Sequence, residues 1–239
     1  MKNILPLPSW LLVVCLMTTA LLVGCKPSAE QQARIAEQRR EHTLNNIEEG
    51  DVLPKADFTT QAILKLGGKF FIAPKEYFTQ GGMHGFYWPS KTPMYRGGGE
   101  YPEREMVRSG KAGAVAIEFQ IEGNPSSSNT YELVENATRE GSLLKRETIR
   151  TGLDRVEIKR ASKVTPIDVM YIATEQRLPI SKLPPTLACN ETSSLNAGAT
   201  RFMWKPGFRI YVRFSSDHCK DWPEIYSEII RVLTLVKEA

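Results

Sequence analysis

Three histidines and four cysteines are the residues of this chain best suited to nucleophilic or metal chemistry. Their spacing assembles neither. His42, His84 and His218 lie far apart in sequence. A base for a serine or cysteine nucleophile would have to be His84 or His218, and no partner signature marks either one. No Gly-x-Ser-x-Gly elbow occurs. Gly97-Gly98-Gly99-Glu100 lacks the Lys-Ser/Thr that follows in a phosphate-binding loop, so it reads as a turn. Glu103 and Glu105 flank Arg104. They form a possible carboxylate pair, although a solvated charged face is the commoner arrangement. The sequence therefore predicts a protein that is not an enzyme and that holds no cofactor and no metal. One enzymatic reading stays open, a hydrolase that uses His84.

A different chemistry is concentrated in residues 79–102, which are rich in glycine, proline and aromatics. Phe86-Tyr87-Trp88-Pro89 and Tyr95-Arg96 place four aromatic rings and a guanidinium on a segment that no helix can cross. Tyr, Trp and Arg dominate the energetics of protein–protein contacts. A loop stiffened by Gly and Pro presents them at low entropic cost. Tyr87, Trp88, Tyr95 and Arg96 are therefore the candidate partner-binding residues. The competing reading is that Phe86 and Trp88 plug the end of the core.

The N-terminus says where such contacts would be made. Lys2 precedes a nearly unbroken apolar run from Ile4 to Val23, and small Gly24 precedes Cys25. A charged start, an apolar run and a small-residue cleavage site describe a secretory signal. Leu22-Val23-Gly24-Cys25 resembles a bacterial lipobox, which implies cleavage before Cys25 and lipid attachment to it. The competing reading is a single transmembrane helix with an ordinary internal cysteine. Removing residues 1–24 from 239 leaves 215 and lowers the net charge from +4 to +3. That weak, dispersed excess gives no nucleic-acid footprint. Cys15 leaves with the signal and Cys25 takes lipid, so Cys189 and Cys219 remain as a pair. In an exported chain the pair reads as a disulfide. A metal pair with His218 is the alternative, but it lacks a second nearby histidine and Cys-x-x-Cys spacing.

The elements that must hold these residues follow from patterning. Residues 25–56 are mostly polar and read as a lipid-anchored stalk, with helix propensity from Ser28 to His42. Residues 57–239 read as a single globular domain. Lys69–Ala73 reads as a strand, with another short one at Gly85–Trp88. Ala114–Glu122 alternates apolar and polar residues, as a half-buried strand does. Thr130–Glu140 is a helix candidate. Leu153–Arg160 and Ile167–Thr174 read as strands. Leu178–Ala199 reads as irregular. Thr200–Trp204 and Phe208–Ser215 form a hairpin around Lys205-Pro206-Gly207. Ile225, Ile229, Val232, Leu233 and Val236 stripe a C-terminal helix with Asp221 as its cap. The expected fold is α+β, a mainly antiparallel sheet with the C-terminal helix packed on it.

Phe71-Ile72-Ala73-Pro74-Lys75-Glu76-Tyr77-Phe78, leading into Gly81-Gly82 and Phe86-Tyr87-Trp88-Pro89 behind a lipobox and polar stalk, resembles the immunity lipoproteins of type VI secretion lipase effectors. The resemblance covers roughly residues 65–130 and the general layout. It implies a periplasm-facing lipoprotein that binds a cognate phospholipase toxin and blocks its active site. The family has no catalytic residues to carry over; Cys25 transfers as the lipid anchor. Lys26 rather than Asp follows Cys25, which by resemblance to lipoprotein sorting implies the inner leaflet of the outer membrane. A non-catalytic lipoprotein of envelope assembly has the same anchor and is the competing function.

Overall fold

Alternation dictates the central strands. In β4 (Val115–Gly123), Val115, Ile117, Phe119 and Ile121 are buried, while Glu118, Gln120 and Glu122 are half-exposed on the other face. β10 (Phe208–Ser215) repeats this with Phe208, Ile210, Val212 and Phe214. The two pair antiparallel with Ile210 opposite Ile121 and Val212 opposite Phe119, so their apolar sides coincide. The computed structural model describes residues 47–79, 83–95, 102–110, 113–123, 129–160, 167–189 and 197–239. The expected α+β fold is found.

The remaining strands are β1 (Gln61–Leu66), β2 (Lys69–Pro74), β3 (His84–Trp88), β5 (Leu143–Arg150), β6 (Leu153–Lys159), β7 (Ile167–Ala173), β8 (Thr186–Cys189), β9 (Ala197–Lys205) and β11 (Lys237–Glu238). They form an eight-stranded sheet in the order β3-β4-β10-β9-β8-β7-β6-β5 and a three-stranded sheet in the order β1-β2-β11. Neighbouring strands in both sheets are antiparallel. The helices are α1 (Pro102–Arg108), α2 (Tyr131–Glu140) and α3 (Trp222–Leu233), the last entered through a 3₁₀ turn at Ser216–Asp221.

Helix α3 lays Ile225, Ile229, Val232 and Leu233 into the main core, and Val236 follows them in. Ala62, Leu64, Phe71 and Ala73 bring the three-stranded sheet into the same core. Helix α2 covers the opposite face of the large sheet, where Val134 and Ala137 meet Val156, Ile158, Met170 and Ile172. The large sheet curls around α3. Its two terminal strands both reach the helix's first turns: Trp88 of β3 donates to Asp221, and Arg150 of β5 donates to the Lys220 carbonyl and to Glu224.

Some expectations need correction. Leu178–Ala199, read as irregular, contains β8 and the start of β9. Strands β1 and β5 and helix α1 were not legible. β5 shows no alternation because most of its side chains are exposed, and its register breaks around Leu144 and Ile149. Such breaks, with Lys145, Arg146 and Arg150, protect a terminal strand from unwanted pairing. Asp221 stands at the cap position of α3, but its side chain makes no cap hydrogen bond. It accepts from the Trp88 indole instead, 2.9 Å away. Asp51, in the segment assigned to the stalk, accepts from Lys65 of β1 at 2.7 Å.

Candidate functional site

Strand β3 positions the aromatic segment. It pairs with β4 with Gly85 opposite Glu118 and Trp88 opposite Val115. Gly85 has no room for a side chain: an added Cβ would stand 2.2 Å from the Ile117 carbonyl oxygen. The chain turns at a cis Trp88–Pro89 bond and comes back along the free side of β3. There the Tyr87 amide donates to Thr92 and the Met94 amide to Gly85. The outer edge of the sheet is thereby closed.

This return decides where the candidate residues lie. Tyr87 and Trp88 are 3% and 8% exposed, and Phe86 is fully buried. Of the two readings of this segment, these rings take the core position and present no free face to a partner. Tyr95 is half-buried, with its hydroxyl donating to the Met83 carbonyl at 3.2 Å. Burial pushes its phenol pKa up. Arg96 and Cys25, the expected anchor, lie outside the described residues, as does the expected stalk up to residue 46. Cys189 and Cys219 are bonded, with Cα atoms 6.4 Å apart. The disulfide reading of the pair therefore holds, and the metal reading falls.

Over the buried rings sits a charged cluster that sequence reasoning missed. The Trp88 indole and the His218 imidazole, through Nδ1, both approach Asp221 Oδ2 at 2.9 Å. The Lys91 ammonium lies 5.9 Å from the Trp88 ring centroid and 3.7 Å from Glu228. Glu228 is buried, and Arg231 meets it at 2.6 Å while also donating to the Tyr77 hydroxyl at 2.9 Å. Glu228 holds the Arg231 guanidinium pKa above its ordinary value. Asp221, Glu224, Glu228 and Arg231 follow one another at helical spacing along one flank of α3. That spacing was the available signal; the arrival of Lys91 from the loop after β3 and of Arg150 from β5 was not.

His218 with Asp221 has the geometry of an imidazole held by a carboxylate, as a general base would need. Among the described residues, no Ser, Thr or Cys side chain bonds to His218. Nor is any group of three or more His, Cys, Asp or Glu side chains placed there to hold a metal ion. The arrangement offers fixed charges of both signs on a rigid support, which suits recognition of another surface.

His84 is not part of this cluster. It is 2% exposed, its ring centroid lies 4.8 Å from that of Phe78, and its Nδ1 has no hydrogen-bond partner. Burial lowers its pKa from 6.5 to about 4. An unfolded chain protonates this histidine below pH 6.5, and the folded one only below about pH 4. Stability is therefore lost as the pH falls through that window, by about 2–3 kcal/mol at pH 4.5. Urea unfolding at pH 7 and pH 4.5 checks this. The His84→Leu variant should lose much less than the parent, and equal losses would rule His84 out as the cause.

No family model matches the chain, and no match is found among curated proteins or solved structures. The functional reading rests on the residues themselves.

Proposed function

We propose that this chain is a lipid-anchored immunity protein that binds and inhibits a cognate type VI secreted phospholipase or lipase at the periplasmic face of the envelope. The observation that carries the reading is Leu22-Val23-Gly24-Cys25 at the end of an export signal, ahead of the segment that resembles the immunity lipoproteins. The Cys189–Cys219 bond supports an oxidising compartment. A toxin that attacks membrane lipid acts where this protein is tethered, and anchoring raises the inhibitor's effective concentration there.

Within this reading, contact with the toxin falls to exposed groups around the buried rings. Lys91 leads these, half-buried Tyr95 comes next, and Arg96 stays a candidate on its residue type alone; Tyr87 and Trp88 hold the shape from beneath. The test is periplasmic co-expression with the lipase encoded beside the gene, scored for survival and for a stoichiometric complex. Rescue with a complex is expected. Lys91→Ala with Arg96→Ala should weaken the complex at least tenfold while leaving the melting curve in place. No rescue and no complex, with capture of several abundant envelope proteins instead, would favour the envelope-assembly reading.

A further inference from the structure

Exposed large apolar side chains are scattered singly on most proteins and need no explanation. Here they are not evenly scattered. Of the eight among the described residues, Val52, Leu53 and Phe58 fall within seven consecutive positions, and Val52 is 88% exposed. This segment is also where the chain enters the folded body.

Phe58 is held in place rather than loosely displayed. The Asp57 carboxylate accepts from the Thr59 amide at 3.0 Å and from the hydroxyls of Thr59 and Thr60 at 2.6 and 2.9 Å. The Gln61 amide donates to the Asp57 carbonyl at 2.7 Å. Lys75 closes the turn by donating to the Phe58 carbonyl at 3.1 Å. The backbone around residue 58 is tied down, and Phe58 stands 53% exposed at the tip of the turn. Beside it is a cleft of about 300 Å³ that Ala62, Phe78 and Tyr95 help to line.

We infer that Val52, Leu53 and Phe58 form a membrane-contact surface that dips into the bilayer interface next to the lipid anchor. The inference rests on the lipoprotein reading. The occupant follows from the length of chain ahead of the patch. About 27 residues separate Cys25 from Val52, and even a fully flexible chain of that length would span roughly 30 Å on average. The patch is therefore always within reach of the surface that holds Cys25. Three apolar side chains bind a bilayer weakly from solution, but tethering makes the contact intramolecular. Nearby charge does not drive it. Glu48, Glu49, Asp51, Asp57 and Glu76 outnumber Lys55, Lys65 and Lys75 in and around the segment. The contact should then persist as salt rises, since salt screens the repulsion between this net negative segment and anionic lipid. It would orient the body, fixing which of its faces can meet a lipase working on the same membrane.

The test uses the mature, lipidated chain in vesicles of three parts phosphatidylethanolamine to one part phosphatidylglycerol, with brominated acyl chains as a quencher. Phe58→Trp is the reporter. Its background is low because Trp88, Trp204 and Trp222 are buried. Leu133→Trp, on α2 against the opposite face of the large sheet, is the control. Quenching at position 58 should exceed that at 133 at least threefold, at both 20 mM and 500 mM salt. Val52→Ser with Leu53→Ser should reduce it at least twofold. Melting curves check that each variant is folded. Equal quenching at 58 and 133 overturns the proposal. So does a position-58 signal that ignores brominated lipid but responds to the added lipase, since the patch would then belong to the toxin contact. The mass of the mature chain separates the two failures. Absence of acyl groups on Cys25 defeats the lipoprotein reading and this proposal with it, whereas acylation without quenching defeats the proposal alone.

Discussion

Replacing Trp222 with alanine is expected to cost about 4 kcal/mol of folding stability. Trp222 is fully buried at the first residue of α3. Its ring stacks on Phe214 of β10 with centroids 6.4 Å apart and tilts against Tyr226 at 5.7 Å. Its indole nitrogen donates to the Pro185 carbonyl at 3.0 Å, just before β8. One side chain thus joins the helix to two strands of the curled sheet. Alanine removes the packing, opens a cavity and takes away one of the two hydrogen bonds to the Pro185 carbonyl, which keeps the one from the Ala173 amide. Trp222→Phe keeps most of the volume and loses the hydrogen bond, so about 1.5 kcal/mol is expected from it. Urea unfolding followed by far-UV circular dichroism measures both. A loss under about 1.5 kcal/mol for the alanine variant would show that α3 does not organise the core as described. Against a total of about 5–15 kcal/mol for an ordinary domain, the expected loss is large enough to lower the amount of folded protein in the cell.

The same elements show how far a sequence of this kind can be read. β4, β10 and α3 were legible because each has one buried face and one wet face, and the period of the pattern names the element. β8 was not legible. Thr186–Cys189 is four residues long and follows Pro184-Pro185, with turn-forming residues behind it, so no alternation can develop. β5 failed for the opposite reason, since a terminal strand with bulges and mostly exposed side chains has no apolar face to alternate. The site divides in a similar way. The cysteine pair was readable from parity and from the export reading of residues 1–24, because neither depends on the fold. The fate of Tyr87 and Trp88 was not, since aromatic residues suit a core and an interface equally well. What put them inside is the return of Thr92–Tyr95 along β3 and the reach of Asp221 to the Trp88 indole. Both are long-range events that local composition does not encode. Asp221 illustrates the point most directly: its position marks a helix start, while its carboxylate serves a residue 133 positions away.

Replacing both Cys189 and Cys219 with alanine is expected to lower stability by about 3.5 kcal/mol, with the fold retained at low temperature. The bond closes a loop of 30 residues, and constraint of the unfolded chain supplies most of that figure in the chain-entropy account. The bond also fixes geometry. It joins β8 to the 3₁₀ turn that leads into α3, and it passes over Gly198, the residue paired with Cys189 on β9. A Cβ on Gly198 would stand 3.1 Å from the Cys219 sulfur, so glycine keeps the space the bridge occupies. Urea midpoints of the oxidised parent and of the double variant measure the loss. A difference below about 1 kcal/mol would mean that the bridge adds little to the packing already made by Trp222 and its neighbours. The figure also bears on where the protein works. A loss of 3.5 kcal/mol raises the unfolded fraction by a factor of about 400, so a body kept in a reducing compartment would be unfolded far more often than one exported and oxidised. Stability that depends on oxidation is what the proposed reading requires, since an exported, anchored inhibitor would work in an oxidising compartment.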